Sequence, residues 1–528
     1  MSIRDDIKKY YRFCTGLRSF VKHTISCTES RELIRAQMER RQELLLTFLE
    51  KAVYNNPRSP HRTILKLAGY ESGDLRVLIE SRGIEPALRK LAEDGGFVTF
   101  EEFKGRKKVM RGGQTIDVRE IDFDNPFLAR YFEVESSGTG GAGTRSMIDF
   151  DFLVQEAINR ALVLDIYGLT DAPCVIWFPI LPGNAGIKNV LRQVKIGNPP
   201  VRWFSQVDRR RIRPSLKDRL GTGFMVHAGR LFDARIPKPE YVDVNNAETI
   251  VRCLADLLKK HTTCCVWTYV NSAIRICSAA KERHISLTGA HFFVSGEPVT
   301  RTKRDEITST GARVIPYYAF AEGGIVAYGC ANPDCPDDMH ILSNRAAIIT
   351  HKKEPEYYHG SVNALLVTSL IPASPKILLN TEMGDHGVIR SRRCGCGFEE
   401  VGFYDHLSQV RSFEKCTSEG MTFMVNDLIH IAENVLPAKY GGTSVNYQFS
   451  EYPGGDGVSH LNLAVSPEIG PVDVQDVIHT VLDSLKRGHP SRRMMAEIWS
   501  QAGTIRVVRM EPLPTRRGKL FSFLNRQS

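Results

Sequence analysis

The chain has 528 residues, a formal net charge of +10, 42% hydrophobic residues and 25% charged residues. That length exceeds one ordinary domain, and the composition is that of a globular chain with a large core, not of a disordered, collagenous or disulfide-stapled one. The modest positive balance, with acids and bases interspersed, suits anionic small molecules such as nucleotides or coenzymes and gives no argument for nucleic acid.

The N-terminal stretch MSIRDDIKKYYRFC lacks the apolar core and cleavage pattern of a secretory signal, and no uninterrupted apolar run is long enough to span a bilayer. The twelve cysteines are too sparse for a disulfide scaffold, so a reducing, cytoplasmic setting is expected, with thiols in the core or on a metal. Ser30 to Tyr54 has helical spacing, broken by the Asn and Pro residues of 55–60, and helical pattern resumes to Leu91. A polar, glycine-punctuated stretch from Asp94 to Asp124 leads towards Ser136-Ser137-Gly138-Thr139-Gly140-Gly141-Ala142-Gly143-Thr144-Arg145. Glycines there allow close backbone approach to a ligand, successive N–H groups can form an anion nest, and Ser136, Ser137, Thr139 and Thr144 add donors. The amphipathic segment Met147 to Gly168 is expected to present a helix N-terminus to the same anion. The residues by themselves fit a phosphate loop or a flexible linker.

Short, partly β-branched apolar runs at Cys174–Ile180, Thr263–Val270, His291–Val294, Val314–Phe320 and Ala364–Leu370 read as buried strands. Helical patterns at Phe152–Tyr167 and Ala247–Lys260 lie among them, which implies an α/β architecture with helices covering mixed sheets. The basic cluster Arg209-Arg210-Arg211-Ile212-Arg213 reads as a solvated face. Strand-end position puts Trp177 to Leu181 and His227 in a ligand pocket wall. Character changes near Val410. A helix (Val425–Val435), alternating strands (Val445–Glu451, Leu461–Ser466), two helices (Asp473–Lys486, Ser491–Gln501) and a strand (Thr504–Met510) then form a small α+β module. The expected division is 1–410 and 411–528.

An ordered series of short motifs follows the glycine-rich loop. Ser295-Gly296-Glu297-Pro298 ends one strand and Tyr317-Tyr318-Ala319-Phe320-Ala321-Glu322 ends another. Gly384-Asp385, Arg411, Gly420 and finally Pro514-Thr515-Arg516-Arg517-Gly518-Lys519 come after them. With this series the chain resembles the adenylate-forming enzymes, in particular the phenylacetate–CoA ligase and acyl-protein synthetase branch, from about Glu32 to Lys519. The resemblance implies that Ser136, Ser137, Gly138, Thr139, Gly141 and Thr144 hold ATP phosphates. It implies that Gly296, Glu297, Pro298 and Tyr318 border the adenine, that Asp385 binds the ribose hydroxyls and that Glu322 holds Mg²⁺. Arg411 would open a hinge with its pivot near Phe413 and Glu414, and Lys519 would be the catalytic lysine of a mobile C-terminal lid. Gly140, Ala319 and Ala321 depart from the family pattern, the last two by removing a hydroxyl beside the Mg²⁺ carboxylate.

Cys394-Gly395-Cys396-Gly397 forms a tight Cys-x-Cys knuckle, and Cys330, Cys335 and His340 lie together upstream. Structural zinc takes four Cys or His ligands, usually as two pairs. Cys330, His340, Cys394 and Cys396 would supply them, with Cys335 as the alternative to either upstream ligand. The resemblance implies a ligase that joins a carboxylic acid to a thiol of CoA, a carrier or a protein through an acyl-adenylate. An acyl-protein synthetase serving a reductase partner, and a non-catalytic ligand-binding relative, are the other readings.

Overall fold

The computed structural model describes residues 14–128, 132–135, 145–181, 183–208, 216–232, 234–355, 361–454, 457–487, 490–514 and 520–524. The loop at 136–144, the basic cluster at 209–213 and the segment 515–519, with Lys519, lie outside the described residues.

Two short hairpins come first, β1 (Val109–Arg111) with β2 (Gln114–Ile116) and β3 (Phe132–Glu135) with β4 (Arg145–Ile148). The main sheet uses β5 (Cys174–Trp177), β6 (Arg202–Ser205), β7 (Pro239–Tyr241), β8 (Cys264–Tyr269), β9 (Ala290–Ser295), β10 (Arg313–Phe320), β11 (Gly324–Gly329), β12 (Met339–Ile341), β13 (Ala346–Lys353), β14 (Val362–Ser369), β15 (Thr381–Ser391) and β16 (Asp405–Ser412). Its order is β13-β14-β15-β16-β12-β11-β10-β9-β8-β5-β6-β7. On the β7 side of β10 every pair is parallel, and on the β13 side every pair is antiparallel.

The parallel half is apolar because helices cover both its faces. Along β8 the period of two divides the strand between two layers. Cys265 and Trp267 face the helices Phe150–Ile166 and Ala185–Lys195, whereas Cys264 and Val266 face Glu248–Lys260 and Val270–Glu282. The expected helix N-terminus directly behind the glycine-rich loop is corrected: β4 intervenes. The helix begins only at Phe150, where the Asp149 carboxylate takes the Phe152 N–H at 2.8 Å and caps it internally. The expected helix over 30–54 breaks at Arg40 into Cys27–Glu39 and Arg41–Leu49, followed by a π turn. Leu45, Phe48 and Leu49 of this region cover Ile349 and Leu366 of the antiparallel half.

Past Ser412 the chain leaves the main sheet. The hairpin β17 (Lys415–Ser418) with β18 (Met421–Met424) is followed by β19 (Tyr447–Pro453), β20 (Ser459–Val465), β21 (Ile505–Arg509) and β22 (Phe523–Leu524). The last four form their own sheet, in the order β21-β20-β19-β22, under the helices Val474–Leu485 and Pro490–Ala502. Buried Trp499 donates its indole N–H to the carbonyls of Ser418 (3.0 Å) and Met421 (3.2 Å), which ties the hairpin to this module. One apolar cluster continues from Phe178 and Tyr269 through Met421 and Phe423 to Trp499 and Phe449. Among the described residues no helix is long and apolar enough to cross a membrane.

Candidate active site

β10 is where the sheet changes from parallel to antiparallel pairing, and the crevice at such a switch is the favoured ligand site of open α/β sheets. A bulge between Tyr318 and Ala319 shifts the register there. A cleft of about 360 Å³ opens at this point. It is lined by Gly296, Glu297 and Pro298 after β9, by Tyr318 to Glu322 after the bulge, and by Asp385 and Arg411. Asp385 and Arg411 are brought together by the pairing of β15 with β16, in which Asp385 faces Ser412 and His386 faces Arg411.

Glu322 is buried, and Lys104 Nζ lies 2.8 Å from its Oε1. Burial pushes this carboxyl up, but the charge and hydrogen bond of Lys104 outweigh it and hold the group at about 2. The Tyr318 hydroxyl donates to Asp385 Oδ2 at 2.7 Å, and Lys415 Nζ stands 3.6 Å from the same oxygen. Burial, then the Asp385 charge, drives the Tyr318 phenol well above its usual range. Arg411 pairs with Asp337 at 3.0 Å. Glu297 turns towards the hairpin between β17 and β18, where its Oε1 accepts the Gly420 N–H at 2.6 Å. His227 is exposed and does not line the cleft, and of the 177–181 stretch only Phe178 and Pro179 reach it. Trp177 is fully buried on the layer of Val266.

A second cluster forms behind the strand that follows Glu322. His340 Nε2 lies 3.1 Å from Cys396 Sγ and 3.4 Å from Cys394 Sγ, the Cys394 and Cys396 sulfurs are 3.3 Å apart, and Cys330 Sγ is 4.0 Å from Cys396 Sγ. Ligand atoms about 2.1–2.3 Å from a tetrahedral zinc stand roughly 3.5–3.8 Å from one another, so the donor set and spacing fit that metal. His340 Nδ1 lies 3.0 Å from the Phe403 carbonyl, a contact that sets Nε2 towards the thiols. The knuckle is held by the Glu399 carboxylate, which accepts the N–H groups of Cys394 and Gly395. Cys335 stands apart, bonded to Asp337, so its place as an alternative ligand is corrected. His406, which the sequence reading passed over, joins Cys330, His340 and Cys394 within 4.8 Å; its Nδ1 is held by Asp338 at 2.7 Å. The closer sulfur contacts favour Cys396 as the fourth ligand, with His406 as a further donor at the rim.

Lys104 and Lys415 were also missed. Lys104 sits in Phe103-Lys104-Gly105-Arg106-Lys107-Lys108, where nothing local separates it from solvated lysines; its partner is 218 positions away.

No known protein family pattern and no curated protein matches the chain. Solved structures do. A 2-hydroxyisobutyryl-CoA ligase, in complex with 2-HIB-AMP and CoA in its thioesterification state, superposes with a TM-score of 0.51 at 13% identity, over 95% of this chain and 91% of that one. The amide bond synthetase McbA from Marinactinospora thermotolerans matches at a TM-score of 0.39 and 11% identity, over 91% of this chain and 92% of that one. At such identities the likeness concerns the fold, and it rests on the first of the two. It covers nearly the whole chain, main sheet and C-terminal module alike: the protein has the fold of the adenylate-forming ligases.

Proposed function

We propose that the chain activates a carboxylic acid with ATP and passes the acyl group to a thiol of CoA, a carrier or another protein. The observation that carries this reading is convergence. Tyr318, Glu322, Asp385 and Arg411 span 94 positions and three strands, yet line one cleft at the sheet's switch point. A ligand that needs a base contact, a ribose contact and a metal carboxylate together accounts for that set.

In the first step the substrate carboxylate attacks the α-phosphorus of ATP and the bond to pyrophosphate breaks. The protein's task is to position two anions and neutralise developing charge. Ser136, Ser137, Gly138, Thr139, Gly141 and Thr144 hold the phosphates in this reading. Glu322 is the carboxylate for Mg²⁺, an ion commonly held by one or two carboxylates together with substrate phosphates. Lys104 then moves from Glu322 to a phosphate oxygen. Asp385 takes the ribose through the oxygen that Tyr318 leaves free, while Gly296 to Pro298 and Tyr318 border the adenine. Residues 411–528 act as a lid that brings Lys519 to the carboxylate and α-phosphate, then turns at Arg411 to admit the thiol. Zn²⁺ on Cys330, His340, Cys394 and Cys396 is structural, because protein ligands fill its shell.

Carboxylate-dependent exchange of labelled pyrophosphate into ATP, over a panel of acids, tests the reading. Exchange is expected with at least one acid, and added CoA then separates a CoA ligase from a synthetase that acylates a protein partner. No exchange and no nucleotide binding would favour a non-catalytic relative, for which Ala319 and Ala321 in the cleft wall speak. Lys519→Ala should abolish exchange and spare thiol attack on preformed adenylate; equal loss of both steps contradicts its role. Elemental analysis should find about one zinc per chain, and less than half of that in Cys396→Ser.

A further inference from the structure

Most basic groups in the cleft have acidic partners. Lys104 pairs with Glu322, Arg411 with Asp337 and Lys415 with Asp385. Lys188, in the helix Ala185–Lys195, lines the same cleft and makes no side-chain hydrogen bond or ion pair among the described residues. It lies on the wall that follows β5, with Phe178, Pro179 and Asn189, whereas the groups assigned to the nucleotide come from β10, β15 and β16 and from the turn after β9.

The charge behind this wall is unbalanced. Arg192, one helical turn on from Lys188, spends two of its N–H groups on Glu156. Arg345 faces the same carboxylate at 4.0 Å. Arg160, within electrostatic reach of Arg192, lies over Trp267 and donates to neutral oxygens of Asn189 and Gln193. Two buried guanidinium groups and the Lys188 ammonium thus share one buried carboxylate, Glu156, and Arg160 adds a third guanidinium beside Arg192; Glu322, the other acid that acts on Lys188, is held by Lys104. Burial lowers the Lys188 ammonium to about 8, which still leaves it charged at neutral pH. Surplus positive charge in a low-dielectric wall is costly unless an anion meets it.

We propose that Lys188 selects the acid: besides the carboxylate that is activated, the substrate carries a second anionic group that pairs with the Lys188 ammonium. This deepens the ligase reading and rests on it for the fate of the first carboxylate. A carboxylate or a phosphonate satisfies the same ammonium, so the test includes both.

The full-length protein is titrated calorimetrically, without nucleotide, with glutarate, 4-phosphonobutyrate and valerate. At least one dianion is expected to bind about tenfold or more tighter than valerate, and which of the two is tighter identifies the second group. Lys188→Met should erase the preference and Lys188→Arg should keep it. In pyrophosphate exchange, Lys188→Met should raise KM for the preferred dianion about tenfold or more and leave KM for ATP unchanged. Wild-type protein that binds valerate as well as either dianion overturns the proposal, whether or not the variant folds. So does an equal rise in KM for ATP, which would place Lys188 on the nucleotide phosphates. If the dianion binds through Lys188 but no acid supports exchange, the ligase reading fails and the anion site stands.

Discussion

Glu322 is the residue on which the proposed chemistry turns, and Lys104 does most to hold its charge, with Lys415 acting the same way. Lys104 and Glu322 have side chains only 5% and 7% exposed. The carboxyl is held at about 2, below its ordinary 4.5, so the pair contributes stability that is fully present above 4.5 and is lost as pH falls towards 2. Lys104→Met would strand a buried carboxylate. The expected cost is about 3–5 kcal/mol at pH 7, the range for severing a buried pair from one side. The cost should shrink at pH 4, because burial alone raises the carboxyl and lets Glu322 take up a proton. Urea unfolding at the two pH values checks this; an equal loss at both would mean that Lys104 acts by packing alone. Glu322→Gln keeps the shape and removes the charge. It should lower kcat in pyrophosphate exchange by about 10²-fold or more, and it should also lower the unfolding midpoint, because it removes the carboxylate charge that Lys104 pairs with.

At the scale of elements, the hairpin between β17 and β18 is held by a tight approach of backbone to an aromatic ring. Gly420 has φ +68°, and a Cβ added there would lie 2.2 Å from carbons of the Tyr269 ring. Gly296, at φ +91°, packs against the same ring and against Gly420 Cα. Gly420→Ala should therefore cost at least about 2 kcal/mol through backbone strain and overpacking, read as a lower denaturant midpoint; an unchanged midpoint would contradict this packing. The sequence announces these elements unevenly. β5, β8 and β9 are legible because strands covered on both faces become continuous apolar runs. β11, β12, β13, β15 and β16 were not read as strands: β15 and β16 carry Asp385, His386, His406 and Arg411, and bulges at Tyr318/Ala319 and His386/Val388 break the alternation. Tyr318, Glu322 and Asp385, which line one cleft, were singled out through motif order. Lys104, Lys188 and His406 were not, because each matters only through partners that pairing and packing bring in from distant parts of the chain.

At the scale of the whole molecule, the C-terminal module meets the main sheet along a buried polar seam. Glu297 accepts the Gly420 N–H at 2.6 Å and the Asn271 N–H at 3.3 Å. The Asn271 side chain donates to Ser418 Oγ at 3.3 Å and accepts from Lys303 Nζ at 3.2 Å, and Arg275 pairs with fully buried Glu419 at 2.8 Å. Burial raises the Glu297 carboxyl to about 7, and the Glu419 charge pushes the same way against Lys303. For a group whose folded value lies above its unfolded 4.5, the linked stability is fully present below 4.5 and is lost as pH rises through 7. The full swing is on the order of 3 kcal/mol. Glu297→Gln is neutral at every pH and should lack that component. Denaturant unfolding at pH 5 and pH 8 should show the wild type losing stability relative to the variant, and parallel profiles would contradict the assignment. The loosening should also be local. Once intrinsic rates are divided out, exchange of the Gly420 amide hydrogen should quicken above pH 7 in the wild type and stay level in Glu297→Gln. An ionised Glu297 would then mark the place where the C-terminal module first parts from the sheet.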